Sequence, residues 1–159
     1  MLTFGEFSDL RPDLAAVGRS LLYGHGRIAL GFLATVTKDG GPRVHPICPL
    51  VTDRALYGFI VPGPKRDDLR RDGRFALHSE TFPPPCHDDA FYATGRAVFV
   101  DDPQLRDTLT AQLLAERDLA EPWPGFASEE LVEFRLDRCL ITLTKPQENL
   151  PAGHTTWAH

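Results

Sequence analysis

The chain has 159 residues, with 17 Lys and Arg against 22 Asp and Glu and a formal net charge of -5. That length fits one domain with its own core, and the acidic balance leaves no basic field to hold a nucleic acid or an anionic membrane surface. No apolar run approaches the roughly 20 residues that cross a bilayer, and Met1–Glu6 lacks the basic start and apolar stretch of a secretion signal, so a cytoplasmic location is expected. Cys48, Cys86 and Cys139 are odd in number and widely spaced, a pattern of free thiols rather than of a disulfide framework.

An N-terminal helix is expected over 8–24, with Ser8 or Asp9 as cap, Pro12 in the first turn and Leu14, Val17, Leu21 and Leu22 at helical spacing. Gly24 and Gly26 end it. In Ile28–Val36 both alternating faces are apolar, Ile28, Leu30 and Phe32 on one and Leu33 on the other, so the strand is expected to be covered on both sides. The Asp39-Gly40 step signals an antiparallel hairpin to Arg43–Leu50. Pro46 and Pro49 place that second strand at an edge or bend, because proline donates nothing to a ladder. Thr52-Asp53-Arg54 makes a turn into the strand Leu56–Val61, Pro62-Gly63-Pro64 stops it, Lys65–Arg71 reads as a short helix ended by Gly73, and Arg74–Glu80 as a fourth strand.

Thr81–Asp89 is irregular, with Pro83-Pro84-Pro85 expected to be extended. Cys86-His87-Asp88-Asp89 offers metal-ligand residue types, but neighbours in one loop rarely converge on an ion and no second Cys/His pair has zinc-site spacing, so no metal is assigned. Ala90–Val100 returns to strand character, and Asp102 caps a helix from Pro103 to about Asp118 with Leu105, Leu109 and Leu113 on one face. Leu119–Ala127 is a loop holding Trp123, Leu131–Leu136 and Cys139–Thr144 read as a hairpin about Asp137-Arg138, and 145–159 is a polar tail carrying His154, Trp157 and His159.

The cations fall at element ends: Arg43 opens a strand after a turn, and Lys65-Arg66 open a helix. A guanidinium binds a phosphate in bidentate fashion, and a Lys beside a helix start adds charge to backbone N–H groups already suited to an anion. The same three side chains would serve equally as solvated surface charges.

The residues Phe32-Leu33-Ala34-Thr35-Val36, the Asp39-Gly40 turn, Arg43-Val44-His45-Pro46, then Lys65-x-x-Asp68-Leu69 and Asp72-Gly73-Arg74-Phe75-Ala76-Leu77 resemble the flavin-binding split-barrel proteins similar to pyridoxamine 5′-phosphate oxidase. Order and spacing carry the resemblance over roughly Ile28 to Thr144. It implies a mainly β fold with flanking helices, an FMN-binding split β-barrel of Greek-key type with roughly six strands over 28–144. It further implies a homodimer with FMN at the subunit interface and a small-molecule substrate. Carried over by position, Arg43 and Lys65 become phosphate ligands, with Arg66 beside them, while Val44, His45 and Pro46 flank the flavin ring and Val61 and His78 are weaker candidates for it. Asp68 stands where the family often has Asn, and so near a phosphate it requires neutralisation, for which Arg66 is the sequence candidate. Trp157 is a candidate to stack on the partner's flavin, with a disordered terminus as the alternative.

Flavin carries the redox chemistry itself, so no nucleophile–His–acid set is expected; Ser20 and Ser79 have no such partners, and no Gly-x-Gly-x-x-Gly follows a strand. The alternatives are a deazaflavin coenzyme on the same fold, and a non-catalytic flavin- or haem-binding protein with His45, His78 or a tail histidine as axial ligand. Pyridoxamine 5′-phosphate oxidation itself depends in the family on an Arg-x-His arrangement near the C-terminus, which Gly153-His154-Thr155-Thr156-Trp157-Ala158-His159 lacks.

Overall fold

A computed structural model describes residues 1–83 and 86–159, so Pro84 and Pro85 of the expected extended triplet lie outside the described residues. Two helices stand where one was expected, α1 (Phe4–Leu10) and α2 (Pro12–Leu22). The reason is Pro12: its ring bars the helical conformation to Arg11, which sits at φ -138° and breaks the run. The cap is Thr3, not Ser8 or Asp9. Its hydroxyl accepts from the Glu6 N–H while the Glu6 carboxylate accepts from the Thr3 N–H, a reciprocal capping box.

The strands are β1 (Gly31–Val36), β2 (Pro42–Ile47), β3 (Leu50–Val51), β4 (Leu56–Ile60), β5 (Arg74–Ser79), β6 (Ala90–Phe99), β7 (Glu130–Leu143) and β8 (Gly153–Ala158), with α3 (Pro64–Arg71) after β4 and α4 (Pro103–Arg117) after β6. They form one antiparallel sheet in the order β2-β1-β5-β6-β7-β4-β3, seven strands in the span where roughly six were expected, with β8 of the tail also on β7. The β1–β2 hairpin pairs as expected, from Gly31 with Ile47 to Val36 with Pro42, and the proline-bearing β2 is the open edge.

β7 is one strand of 14 residues, which corrects the hairpin expected at Asp137-Arg138. Opposite it the register slips between Thr94 and Gly95, leaving Asp137 as the extra residue of a bulge. The Thr94 hydroxyl donates to the Asp137 carboxylate at 2.6 Å, and Gly95 is required because a Cβ there would lie 1.8 Å from the Arg135 carbonyl oxygen. The bend lets β7 pair with β4 through Glu130–Phe134 and with β8 through Arg138–Leu143 along one edge, with Leu2 bridging Leu136 between them. The polar tail is therefore a strand in part, and Trp157 packs its ring 4.9 Å from that of Phe7.

The main core lies between the sheet and α1–α2, around Phe4, Phe7, Leu33, Leu77, Phe91 and Phe134. A second cluster places Leu109 and Leu113 of α4 on Leu50, Tyr57 and Leu131, as the helical spacing predicts, while Leu105 is only partly buried. Asp102 caps α4 by accepting from the Leu105 N–H, with Pro103 in the first turn. In the single chain Phe32 is 41 % exposed, whereas Gly31, Leu33 and Thr35 are the buried residues of β1.

Candidate functional site

The site grows from the open edge of the sheet. Residues opposite each other across a ladder share a face, so Arg43 and His45 lie on the inner side with Thr35 and Leu33, and Val44 and Pro46 on the outer side with Ala34 and Phe32. His78 pairs with Phe32 and so also belongs to the outer side; its Nδ1–H donates to the Ser79 carbonyl at 2.6 Å. The sequence candidates are thus divided between two faces.

Asp68 of α3, 3 % exposed, plugs the inner side. Its Oδ2 accepts from the Thr35 hydroxyl and from Arg43 Nε, each at 2.9 Å, and its Oδ1 from Arg71 Nη2 at 2.9 Å. Burial alone would raise this carboxyl, but the bonds from Arg71, Arg43 and Thr35 outweigh it and hold the group below the usual carboxylate range. The neutralising role expected of Arg66 therefore belongs to Arg43 and Arg71. Arg66 turns away, its Nη1 donating to the Ser128 carbonyl at 3.1 Å and its Nε lying 3.4 Å from Glu130.

Four candidates, His45, Pro46, Val61 and Lys65, converge. Gly63 at φ 142° admits the chain into α3, and a pocket of about 230 Å³ there is lined by His45, Pro46, Val61, Gly63 and Lys65 among others. Lys65 Nζ reaches the Pro46 carbonyl at a long 3.4 Å, and burial lowers its pKa, with Glu129 opposing. His45 Nε2 is buried with no hydrogen-bond partner among the described residues. Burial, then Lys65 and Arg43, lower the His45 pKa against the charge of Asp68, which favours the neutral ring. Only Nε of Arg43 is engaged among the described residues, so the outer nitrogens of its fork stay available.

On the other side of Lys65 and Pro46 lies a second cavity of about 390 Å³, reaching Cys48, Phe59, Arg117, Trp123 and Glu129. Trp123 Nε1 donates to Glu129 Oε1 at 2.8 Å, and Arg106 fixes the loop by donating to the Glu129 and Phe126 carbonyls at 2.8 and 3.2 Å. Burial raises the Glu129 pKa against the Trp123 bond and the charges of Arg106, Arg117 and Lys65. Apart from Cys48, which follows β2 directly, these cavity residues are distant from β2 in sequence; packing of Leu109 and Leu113 brings Arg117 and its loop there. Trp123 between two prolines was the one visible sign.

No family model and no curated protein matches the sequence. Solved structures do. A Listeria innocua protein named as a candidate pyridoxamine 5′-phosphate oxidase is 17 % identical with a TM-score of 0.60, over 77 % of this chain and 93 % of that one. A FAD-binding protein from Mesorhizobium loti is 24 % identical with a TM-score of 0.56, over 69 % and 82 %. An F420 reductase is 22 % identical with a TM-score of 0.56, over 69 % and 87 %. The chain has the split-barrel fold. In this split barrel the long bent β7 pairs with β6, β4 and β8, and β2 with α3 borders the opening where His45 and Lys65 meet, with Arg43 on the same face of β2 as His45. Among the described residues no helix is long and apolar enough to cross a membrane.

Proposed function

We propose that this split barrel is an FMN-binding oxidoreductase that works as a homodimer on a small organic substrate. The observation that carries the reading is that His45 and Lys65 line one pocket at the start of α3, with a buried ring nitrogen of His45 left unpartnered among the described residues and Arg43 on the same face of β2, held by Asp68. These residues fit the group. Lys65 and the free fork of Arg43 would take the phosphate, assisted by the backbone N–H groups of Lys65 and Arg66, which the first turn of a helix leaves unpaired. Asp68 holds Arg43 in place through Nε, so little side-chain freedom is lost on binding.

His45, kept neutral, would meet a polar edge of the ring, and Pro46 and Val61 would flank it. Val44 and His78, on the outer face, would serve the partner subunit's site in a twofold dimer. When bound, FMN supplies the electron or hydride transfer, leaving the chain to bind, orient and exclude water. The missing Arg-x-His arrangement argues against pyridoxamine 5′-phosphate as the substrate.

Titration with FMN and with riboflavin tests this. The phosphate cradle predicts at least tenfold tighter binding of FMN. Equal affinity, or none for either, would remove the cradle. The same spectra separate the deazaflavin and haem alternatives, whose chromophores absorb differently.

A further inference from the structure

We propose that the cavity of about 390 Å³ beside Lys65 is a binding site for a small planar organic anion, paired by Arg117. Its volume lies in the range of small-molecule sites, about 300–1,000 Å³. Arg117 Nη1 is buried with no hydrogen-bond partner among the described residues, and a desolvated guanidinium N–H without an acceptor is costly. A ligand oxygen would satisfy it. The Arg117 guanidinium lies 5.7 Å from the centre of the Trp123 ring, so the cation is held over an aromatic face rather than free in solvent.

Two basic and two acidic side chains line this cavity, Lys65 and Arg117 with Glu80 and Glu129. Glu129 already accepts from Trp123 Nε1, whereas Lys65 has only its long contact to the Pro46 carbonyl. Among the described residues the buried side-chain atom of this lining that lacks a partner is a donor, Arg117 Nη1, and an anionic oxygen would complete it. Phe59 and Trp123 supply flat apolar walls, which select a planar body. A carboxylate on a single aromatic ring is the simplest ligand of that kind.

The role of this cavity as the substrate subsite rests on the flavin reading; the anion site itself does not. Calorimetric titration of the full chain with benzoate, benzamide and benzylamine, with and without FMN, tests both. Benzoate is expected to bind at least tenfold tighter than benzamide, and to lose at least tenfold in Arg117→Gln, which keeps the stem and the packing on Trp123. Arg117→Lys is expected to restore part of the loss. Benzoate binding unchanged in Arg117→Gln, or a preference for benzylamine, would overturn the anion site. Displacement of benzoate by FMN would overturn the substrate assignment, since the cavity would then be part of the cofactor's seat. A chain that binds benzoate through Arg117 yet holds no FMN would sink the flavin reading alone.

Discussion

Arg43 Nε lies 2.9 Å from Asp68 Oδ2, and this bond ties the open edge of the sheet to the helix beside it. Thr35 and Arg71 complete the set, so every strand-edge and helix movement at the opening disturbs a buried carboxylate. The departure from Asn at this position is thereby explained within the chain.

The sign of the pH dependence follows from the lowered pKa of Asp68. A carboxyl whose folded value lies below its ordinary 3.8 stabilises the fold fully above that value, and the stabilisation is lost as pH falls through the lower folded value. Asp68→Asn should therefore unfold about 1–3 kcal/mol more easily at pH 7, with the gap to the parent chain narrowing below about pH 4. Denaturant melts at both pH values check it. An equal gap at both would place the cause in packing.

Gly95→Ala should be destabilising by about 3 kcal/mol, because the added carbon meets the Arg135 backbone and the bulge must shift. Thermal unfolding measures the loss. A neutral result would mean that β6 and β7 can re-register without the bulge.

On the outer face, Phe32 of β1 is 41 % and Val44 of the edge strand β2 61 % exposed, diagonal to each other across the ladder. Isolated apolar residues are ordinary on a surface, but a pair bordering the proposed cofactor site is where a second copy would sit. Val44→Glu should shift sedimentation from dimer towards monomer and weaken FMN retention. A dimer of unchanged stability would put the interface elsewhere.

The local signals of the sequence were legible where turn chemistry and helix periodicity agreed. Asp39-Gly40, the prolines of β2, the Asp102 cap and the Leu109–Leu113 stripe all appear where their chemistry puts them. Asp137-Arg138 misled because a bulge and a turn both interrupt apolar alternation; the sign of the bulge was Gly95, on the partner strand. The tail misled because Thr155 and Trp157 become half-buried only against β7 and Phe7, far away in sequence. Among the candidates for the proposed phosphate cradle, Arg43 and Lys65 stand out in the sequence by their places at element ends. Arg66 was not separable from Lys65, since only the position of Glu130 turns it away. Arg117 and Glu129 reach the cavity through α4 packing, which no local pattern records.

The most direct test of the cofactor reading is the visible spectrum of the chain after incubation with FMN and desalting, beside an Arg43→Ala/Lys65→Ala variant whose fold is verified by circular dichroism. The account predicts flavin bands retained by the parent chain and lost from the folded variant. A parent chain that emerges colourless, or a variant that keeps its flavin, would contradict it.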